Sequence, residues 1–115
     1  MKLSIIIVSY NVTDYLRQCI RSIYNTDLDK NSFEIIVIDN DSHDNTTEDL
    51  KNNFNEVIIK ENSKNLGFSK AVNIGLKTAK GEYVCILNPD VILSQNTFPI
   101  LIEYMRKNKD IGCIG

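Results

Sequence analysis

Four times along the chain, a short apolar run gives way to a longer segment whose apolar residues recur every three or four positions. Residues 3–8, Leu-Ser-Ile-Ile-Ile-Val, carry the near-continuous apolar pattern of a strand covered on both faces in a parallel sheet. Thr13 can then cap a helix in which Leu16, Cys19, Ile20, Ile23 and Tyr24 share a face, and Asp14 suits the positive end of its dipole. Phe33 to Ile38 repeats the strand, and Asn45-Thr-Thr-Glu48 offers a capping box to a helix burying Leu50 and Phe54. A third strand, Val57 to Ile59, leads through the loop at 61–67 to a helix with Phe68, Ala71, Val72, Leu76 and Ala79 on one side, closed by Gly81. Tyr83 to Leu87 is the fourth strand. Thr97 to Lys107 follows as a helix burying Phe98, Leu101, Ile102 and Met105, and Ile111 to Ile114 begins a fifth strand.

Such alternation demands right-handed crossovers, which make an α/β fold with a mostly parallel sheet and helices on both faces. In a sheet of this kind ligands sit at the carboxyl ends of the strands, near the point where strand order reverses. Chemistry is therefore expected at four places: Ser9-Tyr10-Asn11, Asp39-Asn40-Asp41-Ser42, Asn62 to Gly67, and Asn88-Pro89-Asp90. All four are crowded with polar residues.

Composition removes several other classes of function. A chain of 115 residues with 43% hydrophobic and 24% charged residues reads as one globular domain, residues 1–115, with a core of its own. A formal net charge of −2 gives no electrostatic case for nucleic acid. Ile5 to Val8 is too short for a membrane span or a signal-peptide core, so the expected location is the cytoplasm. Cys19, Cys85 and Cys113 are odd in number, widely spaced and set in apolar sequence, and are read as small buried hydrophobes. The Asn-x-Thr sequons at Asn11 and Asn45 would matter only in a secreted protein.

The first loop has neither the Gly-x-Gly-x-x-Gly turn of dinucleotide binding nor a P-loop ending. Phosphate charge must be met otherwise, and Mg²⁺ or Mn²⁺ bridging one or two carboxylates to substrate phosphates is the simplest means. Asp90 is the candidate ligand; Asn-Pro-Asp alone is a good turn sequence, and its place at a strand's carboxyl end favours the site. Asp39 and Asp41 could accept a hydrogen bond from a pyrimidine imide or a ribose hydroxyl, whereas Asp44 reads as a helix cap and His43 as exposed. Lys70 near a helix start could approach a phosphate or simply be a surface lysine. Gly67 is expected to supply an unusual backbone angle. Asn73 is better explained by a crevice than by a core without partners.

Taken together, Ser-Ile-Ile-Ile-Val-Ser-Tyr-Asn at 4–11, Ile-Ile-Val-Ile-Asp-Asn-Asp-Ser-His-Asp-Asn-Thr at 35–46, Asn-Leu-Gly-Phe-Ser-Lys-Ala-Val-Asn-Ile-Gly-Leu at 65–76, and Gly-Glu-Tyr-Val-Cys-Ile-Leu-Asn-Pro-Asp-Val-Ile-Leu at 81–93 are motifs in a familiar order. Over nearly its whole length the chain resembles the amino-terminal, nucleotide-binding half of the family-two glycosyltransferases. These have the Rossmann-like GT-A fold and move sugars from nucleotide diphosphates with inversion. The resemblance implies that Ser9, Tyr10 and Asn11 cup the base, that Asp39 binds the pyrimidine and that Asp41 lies in the same loop. It implies that Asn65 to Asn73, with Gly67 and Lys70, approach the ribose and diphosphate. Asn88 and Asp90 match the two ends of the metal-binding Asp-x-Asp motif, Asp90 being the main ligand for Mn²⁺ or Mg²⁺.

Asn88 departs from the family's leading carboxylate, as in the Asn-Pro-Asp branch with rhamnosyl and related transferases, and leaves the metal one negative charge fewer. The implied partners are a UDP- or dTDP-sugar donor and a saccharide or lipid-linked acceptor in cell-surface polysaccharide synthesis. Peripheral association of a full-length protein with the inner face of the membrane is left open. The family's catalytic base lies in the acceptor-binding half, so it is expected beyond Gly115, with no catalytic residue in 1–115. A non-catalytic nucleotide-diphosphate-binding module remains the alternative. A phospho-receiver domain would want paired acids after the first strand, where Ser9-Tyr10-Asn11 has none.

Overall fold

The computed structural model describes residues 1–115. In chain order the elements are β1 (Leu3–Ser9), α1 (Thr13–Tyr24), β2 (Phe33–Asp39), α2 (Thr46–Asn53), β3 (Ile58–Glu61), α3 (Phe68–Thr78), β4 (Tyr83–Leu87) and α4 (Thr97–Lys107). The four strands are all parallel and ordered β3-β2-β1-β4. The order therefore reverses between β1 and β4, which is where a doubly wound sheet opens its crevice.

Strand alternation sorts the core into two layers. Leu3, Ile5, Ile7, Phe33, Ile35, Val37 and Leu87 point to one face, where Leu16, Cys19, Ile20 and Ile23 of α1, Leu50 of α2 and Phe98 of α4 complete the larger cluster. Ile6, Ile36 and Ile38 point to the other, against Ala71 of α3 with Ile74 and Ala79 beside it. Helices thus cover both faces, but the second face carries α3 alone. It packs on β1 and β2, so Val84 and Ile86 of β4 remain exposed on the sheet.

Several expectations change for physical reasons. On α3 the buried residues are Ala71, Val72 and Gly75, while Phe68 and Leu76 are exposed. The helix lies so close to the sheet that a Cβ on Gly75 would come within 2.6 Å of Ile6 Cγ2, and large side chains cannot enter that contact. Gly81 does not close α3, which ends at Thr78. Its Cβ would stand 2.5 Å from the Ser4 backbone nitrogen, so what the position requires is close backbone approach. Residues 111–114 join no strand, Leu101 of α4 is exposed, and Cys113 is exposed where a buried hydrophobe was expected. All three cysteines are free. No helix is long and apolar enough to cross a membrane.

Candidate functional site

Register brings the four loops to one edge. Ser9 pairs with Asp39 and Asp39 with Glu61, while Leu87 lies beside Ile7, so every loop singled out in the sequence leaves the sheet at its carboxyl end. Ser9 is fully buried there, and its hydroxyl oxygen is the buried side-chain polar atom without a hydrogen-bond partner. Tyr10 and Asn11 beyond it are exposed.

Side-chain hydrogen bonds tie the loop after β1 to the loop after β2. Asn11, at φ 53°, donates its N–H to Ser42 Oγ (3.0 Å), and its Oδ1 accepts from the His43 N–H (2.7 Å). Ser42 in turn donates to Asp39 through Oγ (2.5 Å) and through its backbone N–H (3.0 Å). Asp39 is only 4% exposed, and both of its oxygens accept from Ser42. The geometry makes Asp39 an organiser of the loop and presents little of it to a ligand. Asp41, half-buried, takes a left-handed backbone conformation in this turn, φ 65°. His43 is exposed, as read from the sequence.

Asp44 performs the capping that Thr13 and Asn45 were expected to supply. Neither α1 nor α2 has a side-chain hydrogen bond from its N-cap residue. Asp44 Oδ2 accepts from the Thr13 N–H (3.4 Å) and hydroxyl (2.7 Å), and Oδ1 accepts from the Thr46 N–H (3.2 Å) and hydroxyl. One carboxylate thus serves the first turns of two helices. Burial pushes its pKa up, but the hydrogen bonds from Thr46 and Thr13 outweigh that and hold it below the usual carboxylate value. A polar hollow of about 460 Å³ lies beside it, lined by Asn11, Thr13, Arg17, Asp44 and Asp49 among others.

On the third loop, Asn65 Oδ1 accepts from the Gly67 N–H (2.9 Å), and Gly67 takes φ 83°, ψ 178°, a conformation that a side chain would strain. Lys70 and Asn73 are both exposed on α3. Asn73 is not on the apolar face of that helix, which is formed by Ala71, Val72 and Gly75.

The loop after β4 is fastened to α1. The Cys19 thiol points at the Asn88 carbonyl oxygen (3.8 Å), and Leu93 donates its N–H to Ser22 Oγ (3.0 Å). Further along, Asp27 donates its N–H to the Gln95 carbonyl (2.8 Å). Burial raises the Cys19 thiol to about 11, so it stays a neutral packing group. Asn88 and Asp90 are exposed, and neither side chain is engaged within the chain. No group of three His, Cys, Asp or Glu residues gathers anywhere to hold a metal. A carboxylate and an amide oxygen, both free and both hard donors, nevertheless fit Mg²⁺ or Mn²⁺ when a substrate diphosphate supplies the other oxygens. An apolar groove of about 420 Å³, formed by β4, α4 and residues 112–114, receives no residue from the four loops.

The model of the Glycosyl transferase family 2 matches residues 4–115. Among curated relatives, the minor teichoic acid biosynthesis protein GgaB of Bacillus subtilis is 31% identical over 110 residues, covering 93% of this chain and 12% of that protein. A poly(ribitol-phosphate) beta-glucosyltransferase of Bacillus spizizenii is 30% identical over 119 residues, covering 100% of this chain and 19% of its own length. Among solved structures, S. aureus TarS 1-349 in complex with UDP-GlcNAc superposes with a TM-score of 0.85 at 28% identity, over 95% of this chain and 32% of that one. The chain thus spans a third or less of the length of these proteins.

Proposed function

The chain belongs to Glycosyl transferase family 2, and from that premise we propose that it forms the nucleotide-sugar-binding face of an inverting glycosyltransferase. The donor is a UDP- or dTDP-sugar, and the acceptor a saccharide or lipid-linked glycan in cell-surface polysaccharide synthesis. The observation that carries this reading is the crevice between β1 and β4. Strand order reverses there, and the loops with the orphan Ser9 hydroxyl and exposed Tyr10 and Asn11, and with exposed Asn88 and Asp90, leave β1 and β4 at the same carboxyl edge. The complex of TarS with UDP-GlcNAc supports uridine as the base.

In this reading Tyr10, Asn11 and Asp41 line the base, with Ser9 beneath them, and Asp39 holds that loop through Ser42. Asn65, Gly67, Lys70 and Asn73 face the ribose and diphosphate. The exposed first turn of α3, which carries no acidic residue, favours an anion. Asp90, with Asn88, would hold Mn²⁺ or Mg²⁺, which when bound stabilises charge on the departing diphosphate. Asn88-Pro89-Asp90 supports a place in the Asn-Pro-Asp branch that includes rhamnosyl transferases. Within residues 91–115, Glu103 is a poor base. Hydrogen bonds from Arg106 and Lys107 hold its carboxyl below the usual range, and no catalytic role is proposed for it. The proposed site of action is the cytoplasm, at the inner face of the membrane.

Titration with UDP, with Mn²⁺ and with chelator, tests the proposal. Saturable binding that weakens in chelator is expected, and Asp90→Asn should remove the metal dependence while leaving the fold intact. Metal-dependent binding that is unchanged in that variant would take Asp90 out of the site, and the absence of UDP and dTDP binding would overturn the nucleotide reading.

A further inference from the structure

Asn40, which lies between the two acids read as nucleotide contacts, is 3% exposed, and both ends of its side-chain amide are hydrogen-bonded. Its backbone N–H donates to the Ser9 carbonyl (2.9 Å). Its side-chain Nδ2 donates to the Gly67 carbonyl (3.1 Å), and its Oδ1 accepts from Asn62 Nδ2 (2.9 Å) and from the Leu66 N–H (3.3 Å). The orientation of the amide follows from its neighbours: two N–H groups can meet only its oxygen, and a carbonyl can meet only its nitrogen. Gly67 O is also the oxygen that accepts from the Ala71 N–H (3.4 Å), so Asn40 grips the carbonyl on which α3 begins. That single side chain joins the β2 end, the β3–α3 loop and the first turn of α3.

We infer that Asn40 is a positioning residue that latches the β3–α3 loop and the start of α3 to the carboxyl edge of the sheet, fixing the diphosphate-facing segment relative to the base-facing loop. The inference rests on the nucleotide-sugar reading above. It assigns Asn40 no contact with the ligand. An aspartate of the same shape would keep both acceptor bonds but place an oxygen against Gly67 O, which opens the latch at α3 and leaves the backbone bond to Ser9 in place.

The test uses the protein as its gene encodes it, with UDP and uridine as probes, in the wild type, Asn40→Asp and Asn62→Ala. With the latch open, Asn40→Asp weakens UDP about tenfold, because an oxygen is set against the Gly67 carbonyl in place of a partly buried hydrogen bond, and Asn62→Ala about threefold, because it only loses one. Uridine, which lacks the diphosphate, is bound nearly as before by both. Equal weakening of UDP and uridine, or no change in UDP affinity, overturns the inference. If Asn40→Asp does not fold, Asn62→Ala decides by the same criterion. Hydrogen exchange at the Leu66 amide in Asn40→Ala, which removes the acceptor of that N–H, gives a readout independent of ligand: faster exchange supports the latch and unchanged exchange overturns it. A wild type that binds no UDP refutes the nucleotide reading, while the exchange data still judge the latch.

Discussion

Removing the Asp44 carboxylate should destabilise the protein by an amount that two helix starts set together. In Asp44→Ala the N–H groups of Thr13 and Thr46 and the hydroxyl of Thr46, a residue with 0% exposure, lose their shared acceptor. The Thr13 and Thr46 hydroxyls still face each other at 2.8 Å, so part of the hydrogen bonding survives. A lost N-cap costs about 1 kcal/mol, so two give about 2 kcal/mol, a fall in Tm of about 8 °C for a domain of this size. Asp44→Asn keeps one acceptor oxygen and should lose about half as much. Urea unfolding at pH 7 gives the energies, with an unchanged denaturant slope showing that the loss is in native stability. The pH dependence has a definite sign. Because the folded carboxyl titrates below its unfolded value, its contribution is complete above the unfolded pKa of about 4 and is lost as pH falls through the lower folded value. The gap between wild type and Asp44→Asn should therefore be flat from about pH 7 to 5 and close below about 4. A cost for Asp44→Ala under about 0.5 kcal/mol, or a gap that persists into acid, would refute the double cap.

Gly81→Ala should cost about 1–3 kcal/mol in urea unfolding, because the added Cβ meets the backbone of Leu3 and Ser4 at 2.7 and 2.5 Å. Gly112→Ala, with nothing within 4 Å, is its neutral control. Leu50→Asp should abolish the cooperative unfolding transition, since position 50 is 1% exposed in the larger core cluster and would bury an unpaired charge.

The sheet was legible because the apolar runs at 3–8 and 33–38 are read the same way whichever face each side chain takes: both faces are buried. α1 was legible for a related reason. Its buried Leu16, Cys19, Ile20 and Ile23 are both the apolar residues and the ones that face the sheet. α3 was misread where these two criteria part. Its contact surface is Ala71, Val72 and Gly75, chosen for smallness, and a periodicity weighted towards large apolar residues points instead to Phe68 and Leu76. Residues 111–114, which join no strand, and the exposed Leu101 lie around β4, the edge strand, where no further strand supplies a partner.

The site divides along another line. Topology alone placed the four loops together, because strand ends are fixed by strand direction and the carboxyl edge is one place in a parallel sheet. What topology does not determine is which polar group in a loop faces a ligand and which faces another loop. Asp39 and Asp41 are indistinguishable by residue type and two positions apart. Yet Ser42, three residues after Asp39, engages both oxygens of the first through two hydrogen bonds, while the second sits at a left-handed angle with no side-chain partner in the chain. Asn40 was hidden for the same reason, since it is recognised only by partners far along the chain, at Asn62, Leu66 and Gly67, whereas Asp44 reads as a cap from the sequence and gains only its second helix start, at Thr13, from the fold. The Asp39-to-Ser42 spacing, like that of Asp44 to Thr46, is a signal present in the sequence, as the short turn in which an acid binds the backbone ahead of it. Loops that carry a ligand site must be held rigid without regular structure, so part of their polar inventory is spent on each other. In this chain the acid and amide nearest the sheet, Asp39 and Asn40, are the ones so used, and in the reading proposed above the acids left for a ligand are Asp41 and Asp90.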